Sequence, residues 1–190
     1  MRCKDTFYIV SDRLILRPFG EEDLPDMCAW ASDPAVQLAY GEPVYPDEEA
    51  VAGLLRAYLA AYADPDCFRW VILLRETGEG IGQIGFCRVY PEMHTAEIEY
   101  CIAAHQWGKG YAGEALFSVI RWTFDQTDFT KLEAYHRAEN RRSGRVLEKS
   151  CMHRTDSVER FRRENQTPEG EVCYCIEKDG MLKLQENTMF

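Results

Sequence analysis

A loop of main-chain donors is the first chemistry this sequence offers. The run Gly108-Lys109-Gly110-Tyr111-Ala112-Gly113 follows an alternating segment, Ala96 to Ile102, and opens a helical one. Glycine lets the backbone turn tightly and come close to a ligand. At a helix start the leading N–H groups have no acceptor within the helix, and the helix dipole favours an anion there. Such a segment is a phosphate cradle made of backbone. Just before it, Glu97 and Glu99 alternate with Ile98 and Tyr100. Strand geometry puts Glu97, Glu99 and Cys101 on one face. These carboxylates are candidates for a general base, and equally for a solvated strand face. Further on, Asn140 and Ser143 open a second helical segment, where both are preferred caps.

The glycine-rich run admits three readings. It can be a connection with no ligand. It can be a dinucleotide loop, because Gly108-x-Gly110-x-x-Gly113 matches the Gly-x-Gly-x-x-Gly fingerprint. That fingerprint belongs in the first βαβ unit, with further parallel strands behind it. Here it lies past the middle of the chain and is followed by only one further clear strand-helix unit. The third reading rests on a family resemblance that the other segments carry.

The elements that must position these residues follow from periodicity. Arg13 to Arg17 alternates and reads as a strand that Pro18 stops. Glu21 to Ala31 reads as a helix with acids in its first turn. Asp47 to Ala63 reads as a helix with Val51, Leu54, Leu55, Tyr58 and Leu59 at helical spacing. Strands are expected at Phe68 to Arg75 and Ile81 to Val89, joined by Thr77-Gly78-Glu79-Gly80 as a hairpin turn. Glu97 to Ile102 is a strand, and Gly110 to about Gln126 a helix with Leu116, Val119, Ile120 and Phe124 inward. Lys131 to Tyr135 is a strand, Asn140 to Lys149 a short helix, and Glu171 to Ile176 the clearest strand of the remainder. Trp30, Trp70 and Trp122 read as core. No repeat, linker or low-complexity tract appears, so a single mixed α/β domain over residues 1–190 is the simplest account.

The loop resembles motif A of the GCN5-related N-acetyltransferases, whose pattern is Arg/Gln-x-x-Gly-x-Gly/Ala at a strand-to-helix junction. Trp107-Gly108-Lys109-Gly110 matches its last four positions, and His105 stands at the first, where the family has Arg or Gln. Asp12-Arg13-Leu14-Ile15-Leu16-Arg17-Pro18, Glu22-Asp23, Asp33-Pro34-Ala35-Val36 and Ile81-Gly82-Gln83-Ile84-Gly85 are similar, in order, to segments of the branch containing the ribosomal-protein alanine N-acetyltransferases. Asn140-Arg141-Arg142-Ser143 and Val146-Leu147-Glu148-Lys149 continue that order. The resemblance spans roughly residues 11–150. It implies an α/β (α+β) fold with a mixed, mostly antiparallel sheet of about seven strands, splayed beside the cofactor, and about four helices. It departs where the branch has Gly-Phe, since this chain has Ser150-Cys151-Met152, and in the polar C-terminal part with Arg160, Arg162, Arg163 and Glu164.

The implied activity is transfer of an acetyl group from acetyl-coenzyme A to a primary amine, on a protein N-terminus or a small molecule, by direct attack on the thioester. A coenzyme A-binding module without catalysis is the alternative, and a dinucleotide-dependent oxidoreductase a more distant one. Attack needs a neutral amine, charge stabilisation at the acetyl oxygen and a proton for the leaving thiolate. Glu97 is the first choice of base, with Glu99 or no side chain as alternatives. The resemblance implies backbone N–H groups near Cys101 and Ile102 for the acetyl oxygen, and the cradle Trp107, Gly108, Lys109, Gly110, Tyr111, Ala112 for the pyrophosphate. It also implies Ser143 as acid, with Tyr135 or Tyr174 as other possibilities, and Asn140 on the pantetheine arm. Arg141, Arg142 and Lys149 are candidates for the adenosine 3′-phosphate. The Cys101 thiol reads as packing. Trp107 stands to cover the cofactor or a partner subunit.

Bulk composition limits the rest. A net charge of −10 is the wrong sign for a nucleic-acid partner and suits attraction of a cationic acceptor such as a polyamine or basic peptide. Apolar runs such as Trp70 to Leu74 are far below the roughly 20 residues a membrane span needs. The N-terminal run Met1-Arg2-Cys3-Lys4-Asp5 leads into no signal-type stretch. Eight cysteines without a Cys-x-x-Cys pair point to reduced thiols and no metal site. The expectation is a cytoplasmic protein, monomer or homodimer, with no membrane and no nucleic-acid partner.

Overall fold

The structure is a computed structural model that describes residues 8–181. The N-terminal run with Cys3 lies outside the described residues. Strands and helices fall into two compact units.

The first unit comprises the described residues up to Phe86 together with Glu99–Ser118. It begins with β1 (Ile9–Val10) paired antiparallel to β2 (Leu14–Arg17). Leu14 and Leu16 are fully buried while Ile15 and Arg17 are half-buried, the alternation of a strand with one face on a core. A 3-10 turn at Glu21–Asp23 leads into α1 (Leu24–Ala31), followed by α2 (Pro34–Tyr40) and α3 (Glu48–Ala61). Asp33 and Asp47 cap α2 and α3 by accepting from the N–H groups of Ala35 at 2.8 Å and Ala50 at 2.9 Å. Periodicity passed over α2 because seven residues carry barely two turns. Its signal was the cap Asp33 followed by Pro34, which suits the first helical position. Phe19, Met27, Trp30, Val51, Leu55 and Val71 are buried in one cluster that joins these helices to the sheet.

β3 (Arg69–Leu74) and β4 (Gly80–Tyr90) form the expected hairpin, with Val71 opposite Gln83. Its turn places Gly78 at φ 75°. β5 (Thr95–Ile102) follows and leads to α4 (Tyr111–Gln126). At Gly82 a Cβ would stand 2.2 Å from the Cys101 carbonyl oxygen. Only a residue without a side chain lets β4 come this close to the end of β5.

The second unit comprises Cys87–Ile98 and the described residues from Val119 onward. Thr95, Ala96 and Glu97 pair in parallel with Lys131, Leu132 and Glu133 of β6 (Lys131–Arg137). Next come α5 (Arg141–Lys149), β7 (His153–Thr155), α6 (Glu159–Arg163) and β8 (Glu171–Glu177). β8 lies antiparallel between β6 and β7, and Cys173 and Cys175 share a face as their alternation requires. Glu133 is fully buried and accepts from the Glu159 N–H at 2.6 Å and from Arg162 at 2.7 Å, which holds α6 on this face.

The strand order is β1-β2-β3-β4-β5-β6-β8-β7. The class is as expected, a mixed α/β fold with a mostly antiparallel open sheet. The described residues hold eight strands and six α-helices, with a further helical turn at 178–181, more than the seven and four expected. The additional elements are short: β1, β7, α2 and α6 have two, three, seven and five residues, too few to show a period. Trp30 and Trp70 are core, whereas Trp122 is only half-buried. Among the described residues the cysteines are free thiols, no group of three or more potential ligands could hold a metal, and no helix is long and apolar enough to cross a membrane.

The close approach at Gly82 is testable. Gly82→Ala is expected to cost about 3 kcal/mol of stability, the upper range for overpacking, because the obstacle is backbone. Urea unfolding would report it as a lower midpoint at unchanged slope.

Candidate active site

The cradle lies in the first unit. A 3-10 turn at Ala104–Gln106 ends β5, and the Trp107 indole N–H then donates to the Ile102 carbonyl at 2.7 Å. The ring thus braces the loop against its own strand. Gly108 and Gly110 adopt φ 80° and 86°, the left-handed region that favours glycine. The first turn of α4 begins with the Glu114 N–H donating to the Gly110 carbonyl at 3.1 Å. The N–H groups of Tyr111, Ala112 and Gly113 precede that bond and have no acceptor within the helix. A Cβ built on Gly108 or Gly113 would meet nothing within 4 Å, so the space over the loop is open. Positive-φ glycines, free helical donors and open space together suit a diphosphate.

Arg13 and Glu114 clasp this loop. Glu114 accepts from the Ser11 hydroxyl at 2.7 Å, the Arg13 N–H at 2.8 Å and Arg13 Nε at 2.7 Å. Arg13 Nη1 also donates to the Lys109 carbonyl at 3.0 Å, and its guanidinium lies 4.6 Å from the Tyr111 ring centroid. A lone acid in the first turn would repel a bound anion; Arg13 compensates it. Burial pushes the Glu114 carboxyl upward, but the bonds from Ser11 and Arg13 outweigh it and the net shift is downward. The clasp joins residues 101 apart in the chain, and nothing local in the sequence marks it.

A second set of links ties the loop to the β3–β4 hairpin. His105 Nε2 lies 2.7 Å from Glu79 Oε1, Gln106 donates to the same carboxylate at 3.2 Å, and Lys109 donates to Gln106 at 2.7 Å. The bond from His105 holds the Glu79 carboxyl below its usual range. His105, which departs from the family pattern, therefore braces the loop from outside.

Of the carboxylates entering the loop, Glu99 lies in the first unit. Arg69 Nη2 donates to it at 2.7 Å. Cys101 beside it is buried, and burial together with the Glu99 charge pushes its thiol up to about 12. Such a thiol stays protonated at neutral pH, which agrees with packing rather than attack.

Glu97 lies in the second unit and is 1% exposed. The Cys87 thiol donates to its Oε1 at 3.0 Å, and Arg88 Nη1 lies 3.4 Å away. Burial, with the Glu97 charge next, pushes the Tyr135 phenol up to about 12, and Arg160 donates to that phenol's oxygen. In the same unit Asn140 caps α5, its side chain accepting from the Ser143 N–H at 3.1 Å. Gly144 makes room for His136, whose ring carbon would stand 2.9 Å from a Cβ there. Arg141, Arg142 and Lys149 are exposed. Sequence reasoning gave no role to Glu114 or Arg69, because each acts through a partner distant in the chain.

A family model for the acetyltransferase (GNAT) domain matches residues 13–153. An uncharacterized N-acetyltransferase of Bacillus subtilis, YoaA, is 29% identical over 168 residues, which cover 88% of this chain and 95% of that protein. Among solved structures, a GNAT-family acetyltransferase from Bacillus anthracis superposes with a TM-score of 0.74 at 25% identity, covering 90% of this chain and 99% of the other. Spermidine N-acetyltransferase from Vibrio cholerae, solved with CoA and spermine, shares the fold with a TM-score of 0.73 at 17% identity, covering 90% of this chain and 99% of that one. The chain belongs to the GNAT acetyltransferase family. It is an acetyl-coenzyme A-dependent N-acetyltransferase, and the dinucleotide reading of the glycine run is set aside.

Two outcomes follow from the cradle and its clasp. Gly113→Leu is expected to fold at least as stably as the parent, since helix propensity favours leucine by up to about 1 kcal/mol and the space is empty. It should nevertheless lose about tenfold or more in acetyl-coenzyme A affinity, by a side chain among donors worth about 1.5–3 kcal/mol each to a charged group; isothermal titration would show it. The stability difference between the parent and Glu114→Gln should depend on pH. A carboxyl lowered in the folded state stabilises above its unfolded pKa, so the difference should be full at neutral pH. It should shrink as pH falls from about 4.3 through the lowered folded value. Unfolding midpoints across that range measure it.

Proposed function

We propose that the acceptor is a primary amine, on a protein N-terminus or a small molecule, and that Glu97 removes its proton. The observation that carries this reading is the buried carboxylate on the strand that leads into the cradle, met by a thiol at 3.0 Å and by a guanidinium at the longer distance of 3.4 Å. Glu99, the runner-up, is engaged by Arg69 at 2.7 Å. When bound, acetyl-coenzyme A supplies the acetyl group as a thioester.

In this reading the chain's residues divide the work. The N–H groups at the start of α4 and the loop from Trp107 to Ala112 hold the pyrophosphate. Backbone N–H groups near Cys101 and Ile102 stabilise charge on the acetyl oxygen. Ser143, at the start of α5, returns a proton to the thiolate, and Asn140 lies along the pantetheine arm.

A polyamine is the second reading for the acceptor. It is favoured by the net charge of −10, which draws cations, and by the spermine held in the Vibrio cholerae neighbour.

Glu97→Gln tests the base. General-base catalysis contributes roughly 10²–10⁴-fold, so kcat is expected to fall by about that factor while the thermal shift from acetyl-coenzyme A is kept. The acidic limb of the pH–rate profile should disappear with it. An unchanged profile would remove Glu97 from the role.

A further inference from the structure

The first unit holds a polar cluster that the cofactor cradle does not use. Register places Arg69 opposite Gly85 and Val71 opposite Gln83, so all four residues lie on one face of the β3–β4 hairpin. A Cβ at Gly85 would stand 2.7 Å from the Phe68 carbonyl and 3.2 Å from Arg69 Cβ. With no side chain there, Arg69 can lie across β4 and reach Glu99 on β5, two strands away in the order β3-β4-β5. The Tyr58 ring from α3 lies 4.4 Å from the Arg69 guanidinium, and the Tyr40 hydroxyl at the end of α2 receives Gln83 Nε2 at 3.2 Å.

This cluster is buried at its base. Burial raises the Tyr40 phenol well above its ordinary value and pushes Tyr58 up to about 12. Gln83 is 2% exposed. Two buried atoms in the cluster, Arg69 Nη1 and Gln83 Oε1, have no hydrogen-bond partner among the described residues. Buried polar groups are normally paired, and leaving them unpaired costs stability unless a ligand completes them. The rim is reachable, since the side chains of Arg69 and Glu99 are 14% and 23% exposed.

The charges of Arg69 and Glu99 cancel. What the cluster leaves over is one donor and one acceptor. An ammonium would face the Arg69 guanidinium, and a carboxylate would face Gln83 Oε1 and Glu99. A carbonyl oxygen with a neighbouring N–H matches both free atoms at once. We propose that Arg69 and Gln83 form a subsite for a neutral amide on the acceptor, so that the enzyme prefers an amine carried by a peptide or amino-acid amide to a polyamine. This rests on the acetyltransferase reading and names its acceptor class.

The test compares acceptors with the full-length enzyme and acetyl-coenzyme A. Glycinamide carries an amine and an amide; isobutylamine has the same shape without the amide; glycine carries a carboxylate instead. Gln83→Met removes the acceptor while keeping volume, and Arg69→Lys removes Nη1 while keeping a cation beside Glu99. The ratio of kcat/KM for glycinamide over isobutylamine is expected to fall about tenfold in each variant, mostly through KM, because the lost bond is made equally in the ground and transition states. Taking the ratio between parent and variant cancels the different basicity of the two amines. Titration of glycinamide into the enzyme loaded with coenzyme A should show the same loss without turnover. A ratio unchanged by both variants, or glycine binding as tightly as glycinamide, overturns the amide subsite and leaves amine acetylation standing. Turnover of spermidine with no turnover of glycinamide also overturns the subsite. Failure on every amine would overturn both readings.

Discussion

The first helical turn of α4 presents N–H groups that no carbonyl of the helix can reach, and the arrangement of the cradle follows from that constraint. A ligand can use those donors only if nothing covers them. Gly108 and Gly113 keep the space open, while Gly108 and Gly110 supply the left-handed turns that bring the chain into the helix. The turn must also be rigid, or its donors would not converge. Trp107 ties it back to Ile102, and Arg13 ties it to the N-terminal strand through Glu114 and the Lys109 carbonyl. An acid next to an anion site works against binding. Here the same acid anchors the arginine that neutralises it, so the conflict becomes the fastening.

Three carboxylates, Glu133 and Glu97 buried and Glu99 half-buried, are treated in three ways. Glu133, fully buried, accepts from Lys131, from Arg162 and from a backbone N–H; it is saturated and holds α6. Glu99 has one strong partner, Arg69, which spans a strand left bare by Gly85. Glu97 has a weak thiol donor and a more distant guanidinium. Removing a charge from water is costly unless bonds replace the lost hydration.

Much of the active region was legible because its signals are local. The strand before the loop, the glycines and the helix after them all lie between Thr95 and Gln126, and each rests on periodicity or on backbone freedom that a residue type reveals. The same holds for the hairpin turn with Gly78. The short elements β1, β7, α2 and α6 were not legible from period, since each is stabilised by what it packs against. For α6 that support is Phe161 in an apolar cluster and Arg162 on Glu133, and neither partner is near it in sequence.

By itself the sequence determined the class of fold, the position of the glycine-rich loop and the residue types available for acid–base work, because propensity, glycine conformation and strand alternation act over a few residues. Tertiary structure decided how those residues are used. It turned Arg13 and Glu114 into one clasp, laid Arg69 over Gly85 onto Glu99, and gave Glu97, Glu99 and Glu133 different surroundings. Hydrogen bonding and burial depend on which segments meet in space, and that depends on the packing of the whole chain.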